Sequence, residues 1–176
     1  MRAIVVTITM LISAVGCVPA DARSSDDVID YVIYDGSMQL RLDYRNHRFD
    51  FGDREPEEEA RPVRDSFGGI ISDCSDSVVR CTALEAAVFA VPIGDIKSTR
   101  WTAHGVKFEV VGTYSHADAN GLLISCTKDG DTFMHFSYVP NIGVETISFQ
   151  EEGAPKWVAK TYLLDGRVGI LNRSGR

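Results

Sequence analysis

The chain has 176 residues, enough for one domain with its own hydrophobic core. Its 18 Lys and Arg stand against 25 Asp and Glu, which gives a formal net charge of −7. This balance argues against nucleic acid as a partner, because phosphate recognition requires clustered basic side chains. It would favour encounter with a basic protein partner, and the alternative is that the acidic surface serves solubility alone.

The first residues have the pattern of a secretory signal peptide. Arg2 makes the N-terminus positive, and residues 3–15 are uncharged and mostly apolar. That run is shorter than the about 20 residues that a helix needs to cross a bilayer, as is usual for a signal peptide. The small-x-small sequence at 20–22 offers one cleavage site, which would make residues 1–22 the signal peptide.

A second cleavage site precedes Cys17. The sequence Ala14-Val15-Gly16-Cys17 resembles the lipobox of bacterial lipoproteins. The resemblance implies a signal peptide of residues 1–16, a lipid on Cys17 and stable membrane anchoring by several acyl chains. Val18 occupies the position where Asp would favour the inner membrane, so the implied location is the periplasmic side of the outer membrane. Cleavage after residue 22 implies a soluble periplasmic or secreted protein.

Alternation of apolar and polar residues dominates the rest of the chain. It is clearest at 38–44 (MQLRLDY) and at 105–111 (GVKFEVV), and it is typical of half-buried antiparallel strands. Four pairs suit tight hairpin turns: Asp35-Gly36, Asn120-Gly121, Asp129-Gly130 and Asp165-Gly166. The predicted strands are 27–34, 38–44, 48–51, 67–72, 86–91, 106–113, 121–127, 132–139, 143–149, 157–164 and 167–171.

These strands predict an all-β fold, an antiparallel β-sandwich or barrel built from hairpins. A tether at 17–26 would precede a single β-domain at 27–176. The segment 81–92 (CTALEAAVFAVP) is ambiguous because Ala, Leu and Glu favour helix, but it is short enough for a buried strand before Pro92. The segment 52–66, with two Pro and a Glu run, predicts an exposed acidic loop, either a solvated connector or a contact arm for a basic partner.

Three cysteines are left for pairing after either cleavage, because Cys17 is either lipidated or removed. The spacing of Cys74 and Cys81 suits a disulfide that closes a loop of about eight residues, worth roughly 2.5 kcal/mol by the loop-entropy argument. Cys126 alternates with Leu122 and Ile124, which predicts a buried, inert thiol. Pairing of Cys126 with Cys74 or Cys81 stays open, because sequence does not give connectivity.

Catalytic and metal-binding motifs are absent. The chain has no nucleophile elbow, no P-loop, no zinc-protease helix motif and no Cys-x-x-Cys. His116 and Asp118 lie close in sequence, but a metal site needs three or four ligands and no third is evident. His135 shares a strand face with Phe133 and Ser137, where it is either a polar group in a ligand cavity or an ordinary strand histidine. We expect no metal and no cofactor.

Three further side chains are of interest. Cys126 and His135 lie on either side of the Asp129-Gly130 turn, so a thiol–imidazole pair is one arrangement to test. Trp101 and Trp157 each follow a basic residue, and are candidate binding residues alongside His135. Core packing is the alternative for both indoles.

The function that these features favour is non-catalytic binding of another macromolecule in the cell envelope, as an inhibitor or assembly component. Small acidic β-barrel lipoproteins that inhibit basic lysozymes are similar in size and predicted architecture, which is an analogy of fold only. The alternatives are a small-ligand carrier with a barrel or sandwich pocket, and an enzyme whose site comes from residues distant in sequence.

Overall fold

The computed structural model describes residues 27–34, 37–53, 67–85, 87–94, 96, 98–117, 119–150 and 159–172. The signal peptide, Cys17, the tether, Trp157 and the acidic segment from residue 54 onward lie outside these residues. Within the described part of the chain, the regular elements are all β-strands. No helix there is long and apolar enough to cross a membrane.

Thirteen strands occur in the described residues, and all of their pairings are antiparallel. They are β1 (Val28–Ile33), β2 (Met38–Asp43), β3 (Arg48–Asp53), β4 (Phe67–Ile70), β5 (Ser72–Asp73), β6 (Val79–Ala83), β7 (Val88–Pro92), β8 (Arg100–Ala103), β9 (Val106–His116), β10 (Ala119–Lys128), β11 (Asp131–Val139), β12 (Gly143–Gln150) and β13 (Ala159–Leu164). Ten form one sheet in the order β4-β3-β2-β1-β13-β12-β11-β10-β9-β8, and β5-β6-β7 form a second. The all-β prediction is confirmed as two packed sheets.

The chain passes from the large sheet to the small one at Ile71. The predicted strand 67–72 is divided there into β4 and β5, and the Ile71 amide donates to the His47 carbonyl at 2.9 Å. Its side chain is buried. Ile71 therefore forms a corner of the sandwich, with its apolar side chain in the core.

Aromatic side chains join the two sheets. Phe89 of β7 meets Phe136 of β11 with ring centroids 5.6 Å apart, and Phe136 meets Phe108 of β9 at 6.4 Å. Trp101 of β8 stacks on Phe108 at 5.6 Å, and its Nε1–H donates to the Ala90 carbonyl at 3.2 Å. These contacts are edge-to-face and stacked arrangements that add to the energy of area burial.

The predicted strand at 167–171 is wrong. This segment crosses the end of the large sheet without joining a strand ladder; the Gly169 amide donates to the Ile142 carbonyl, and the Ile170 carbonyl accepts from the Val144 amide. Its backbone turns at Leu171, whose φ of 72° is left-handed. Buried Ile170 and Leu171 close the end of the core.

Two short strands were not predicted, and several strand boundaries differ by one to three residues. One is β6, which begins inside the loop closed by Cys74 and Cys81, where only a disulfide was predicted. The other is β8, whose four residues are too few to show an alternating pattern. β3 continues through Gly52 and Asp53, which pair with β2. The prediction of a loop at 52–66 is therefore wrong for Gly52 and Asp53, and its remaining residues lie outside the described part of the chain.

Candidate functional site

The solvent-side face of β9–β13, which we call the outer face, is formed by five neighbouring strands of the large sheet. Successive cross-strand partners run from β13 to β9, namely Leu163, Thr146, Ser137, Leu123 and Gly112. Leu163 is 39% exposed and Leu123 40% exposed. Val111, at an irregularity in the β9–β10 register, is 52% exposed. Three large apolar side chains thus meet solvent on one sheet face.

A parallel row on the outer face is polar. It consists of Thr161, Ser148, His135, Ser125 and Glu109, which are again successive cross-strand partners. The Ser148 and Thr161 hydroxyls lie 2.8 Å apart in a hydrogen bond. The sheet ladder fixes the positions of these groups, so they form a pre-organised polar row, with Ser125 buried within it, beside the row that contains Leu163 and Leu123.

His135 lies in the middle of this polar row. It is half-buried, and its Nδ1 is shielded from solvent with no hydrogen-bond partner among the described residues. Burial lowers the pKa of His135, so the imidazole is neutral near neutral pH. The side chain lies between Ser148 and Ser125, on the face opposite the buried Met134 and Phe136. The role of His135 as a binding residue stays a prediction.

One end of the outer face carries a network of three ionisable side chains. The Tyr114 hydroxyl donates to Glu145 Oε2 at 2.6 Å, and His116 Nε2 lies 2.9 Å from Glu145 Oε1. Glu145 lies where the β11–β12 register shifts, between residues paired with Ser137 and Tyr138. A bulge of this kind re-aims a side chain, and here it directs a carboxylate toward residues of β9.

Gly121 makes room for this network. A Cβ on Gly121 would lie 2.2 Å from Cζ of Tyr114, which shows that the phenol ring lies flat against the backbone of β10. The Asn120-Gly121 turn prediction is therefore wrong, because both residues pair with β9 inside β10. Gly121 is needed here because an aromatic ring packs directly on its backbone. The left-handed residue of the neighbouring turn is Ala117, which has a φ of 41°.

The Asp129-Gly130 turn is confirmed, with φ values of 53° and 94°.

The Tyr114 hydroxyl gives a testable pH dependence. Burial, and then the hydrogen bond to Glu145, raise the pKa of Tyr114 from 10.0 to about 12. As pH rises from about 10 to about 12, the unfolded chain loses this proton first, so the stability that the phenol contributes falls across that window. We expect Tyr114→Phe to cost about 1 kcal/mol at neutral pH, with a smaller difference from the natural chain as pH approaches 12.

Urea unfolding of the natural chain and of Tyr114→Phe across this pH range measures the difference. The other tyrosines titrate in both proteins, so their contributions cancel. A difference that stays constant with pH would show that Tyr114 has an ordinary pKa and that the contact with Glu145 is absent in solution.

Two open depressions flank the outer face. One, of about 480 Å³, is lined by residues that include His116, Glu145, Thr146, Leu163 and Arg167. The other, of about 430 Å³, lies beside the β8–β9 and β10–β11 turns and includes His104, Lys128 and Phe133. Both open to solvent and have mixed polar and apolar linings. Neither is the enclosed apolar cavity that a small-ligand carrier would need.

The histidines are distributed over the fold. His104 precedes β9 and His116 ends it, and a strand of eleven residues separates them by roughly 35 Å. The predicted partner of His116 in a metal pair, Asp118, lies outside the described residues. The structure instead places Glu145 beside His116. The sequence does not indicate this contact, because the two residues are 29 positions apart, with strands β10 and β11 between them.

The predictions for Cys74, Cys81 and Cys126 are confirmed. Cys74 and Cys81 form a disulfide, and Cys126 is a free, buried thiol. Burial raises the pKa of the Cys126 thiol well above its ordinary value, so the thiol is not reactive. The Cys126–His135 pair is wrong, since Cys126 pairs with Met134 on the core side while His135 points to the opposite face.

A cluster near the disulfide was missed. His104 lies beside Cys74 and Cys81, and the two sulfurs and one imidazole nitrogen all lie within 4.8 Å of one another. The sequence does not indicate this cluster, because Cys81 and His104 lie 23 positions apart.

The two tryptophan candidates have different outcomes. Trp101 is half-buried and bridges the sheets through Phe108 and the Ala90 carbonyl, as the core-packing alternative requires. Its role as a binding residue stays a prediction, and Trp157 lies outside the described residues. Comparison with protein families, with curated proteins and with solved structures gives no match to this chain.

Proposed function

We propose that this protein is a non-catalytic cell-envelope protein that binds a basic protein through the outer face of β9–β13. The observation that carries the proposal is the row in which Leu163, Leu123 and the neighbouring Val111 expose apolar side chains on a rigid sheet. Exposed apolar groups clustered on one face and rimmed by polar residues are typical of protein interaction sites.

The surroundings of this row suit recognition of a protein surface. The Ser137 hydroxyl is held by the Thr146 amide at 3.0 Å and by the Thr146 hydroxyl at 2.8 Å. Such groups are ordered before binding, so their entropy is not lost on association. Glu145 lies beside the row, next to Thr146 in β12. The chain as a whole carries a net charge of −7, which would speed encounter with a basic partner.

Site-directed photo-crosslinking tests this proposal in the envelope of the cell that makes the protein. A photoreactive side chain at Leu123 or at Val111 is expected to yield one discrete protein adduct. The same group at Ile70, which is 68% exposed on edge strand β4, is the matched control. Equal yield of many adducts at all three positions, or none at Leu123, would refute the outer face as the binding surface.

Affinity of the purified pair provides the quantitative test. Leu123→Asp is expected to weaken binding about tenfold or more, because charge placed in an apolar contact removes a hot spot. Ile70→Asp introduces the same charge outside the face and is expected to change the affinity less than twofold. Similar losses for both variants would attribute the effect to net charge and contradict the proposed surface.

We also propose that Cys17 carries the lipid that places the protein on the periplasmic side of the outer membrane. Its support is the resemblance of residues 14–17 to a lipobox. Cys17→Ala is expected to move the protein from the membrane fraction to the soluble fraction, as measured by fractionation and intact mass. Unchanged membrane association of that variant would show that anchoring does not depend on Cys17.

A further inference from the structure

We propose that reduction of the Cys74–Cys81 disulfide opens a metal site, in which the two thiolates and the His104 imidazole bind a zinc-class divalent cation. This inference is independent of the proposed binding at the outer face. It would give the protein a second, redox-controlled state in which a metal replaces a covalent link.

The donor set is already assembled in the oxidised protein. The two sulfurs and the nearest imidazole nitrogen lie within 4.8 Å of one another. Two thiolates and one imidazole match the ligand preference of Zn²⁺, and three protein ligands leave a fourth position for water. The Cα atoms of Cys74 and Cys81 are 4.8 Å apart, so rotation of the side chains can separate the sulfurs around an ion.

Hydrogen bonds hold the cysteine loop independently of the disulfide. The Cys74 amide donates to the Cys81 carbonyl at 3.3 Å, and the Cys81 amide donates to the Ser75 hydroxyl at 2.9 Å. Asp76 Oδ1 accepts from the amides of Val78 and Val79, each at 2.7 Å. Reduction removes one covalent bond from this loop and leaves these contacts, so both thiols stay near their present positions.

His104 reaches the cysteines from a different element. It occupies the turn between β8 and β9, where His104 has a φ of 47° and Gly105 a φ of 73°. These values correspond to a tight turn with two left-handed residues, which fixes the backbone from which the imidazole projects. His104 is exposed and Cys74 is partly exposed, so a cation approaches from solvent, whereas Cys81 lies at the buried side of the cluster.

The chemistry balances in two steps. A dithiol reductant transfers two electrons and two protons to the disulfide, which yields two protein thiols and the oxidised reductant. The divalent cation then binds both sulfurs as thiolates and releases two protons to solvent. Re-oxidation by a disulfide oxidant returns the link and expels the ion.

Cobalt substitution tests the site. The full chain carrying Cys17→Ser and Cys126→Ala retains Cys74 and Cys81 as its only thiols. After reduction, Co²⁺ is expected to bind one ion per chain, with sulfur-to-cobalt charge-transfer absorption and the visible bands of tetrahedral cobalt. Zn²⁺ added afterwards should remove both features. The oxidised chain should show neither.

His104→Asn separates the proposal from binding by two thiols alone. Asn tolerates the left-handed turn position, and its amide is a poor ligand for Zn²⁺, so we expect Co²⁺ affinity to fall about tenfold or more. Circular dichroism of the reduced chain without metal verifies that the β-sheet signal persists. Unfolding upon reduction, absence of the charge-transfer absorption, or equal affinity of His104→Asn would each overturn the proposal.

Discussion

Replacement of Phe136 by Ala is expected to lower the free energy of unfolding by about 3–5 kcal/mol, as measured by urea denaturation. Phe136 is fully buried in β11, where it contacts Phe89 of the small sheet and Phe108 of β9. Its truncation leaves a cavity at the place where the two sheets meet, and the ladders on either side limit collapse into it.

A double-mutant cycle with Phe89→Ala isolates the contact between sheets. We expect a coupling of about 0.5–1.5 kcal/mol, as is typical of edge-to-face aromatic pairs. Val111→Ala removes an exposed side chain from the same sheet and is expected to change stability by less than about 0.5 kcal/mol. Additive losses for Phe89 and Phe136 would indicate that the small sheet does not pack on β11.

Most strands of the large sheet could be predicted from the sequence because they have one buried and one solvated face, whereas the short β8 could not. In β11, Met134 and Phe136 are fully buried while His135 between them faces outward, as the alternation predicts. The Asp129-Gly130 turn could also be predicted from the sequence, because Asp and Gly tolerate the positive φ that both residues adopt here. Features that depend on residues close in sequence could therefore be predicted.

Features that depend on residues distant in sequence could not be predicted. Asn120-Gly121 has the composition of a turn, yet Gly121 lies within a strand because the Tyr114 ring packs on it. The segment 167–171 has a strand-like composition, but its hydrogen bonds go to residues at the start of β12 across the end of the sheet. In both places, tertiary contacts override the local preference.

The candidate sites also combine features set by nearby residues with features set by distant ones. The polar row on the outer face follows from strand alternation once register is known, whereas the Tyr114–Glu145–His116 network requires a bulge that redirects Glu145. The sequence shows the spacing of Cys74 and Cys81 but not the turn that brings His104 beside them. Register and bulges are set by pairing across the sheet, which a single sequence does not display.

Replacement of Gly169 by Ala is expected to destabilise the fold by about 3 kcal/mol or more. A Cβ at this position would lie 2.0 Å from the Val144 carbonyl oxygen and 2.9 Å from the Tyr31 hydroxyl. Neither neighbour is free to move, because Tyr31 donates to the Val144 carbonyl at 2.8 Å and accepts from the Ile170 amide at 3.0 Å. The added methyl group would push the C-terminal segment off the sheet and break these buried hydrogen bonds.

Gly112→Ala is the matched control for that substitution. Gly112 lies in β9, and its added Cβ would meet only Leu123 Cβ at 3.9 Å, an ordinary contact distance. Ala at this site is expected to be neutral or to stabilise by up to about 1 kcal/mol, because it restricts the unfolded chain without a clash. Thermal and urea unfolding of both variants therefore separate the steric effect from the general cost of losing a glycine. A Gly169→Ala chain as stable as Gly112→Ala would mean that the segment at 167–171 does not close the core in solution, and that the depression next to Arg167 has a different shape.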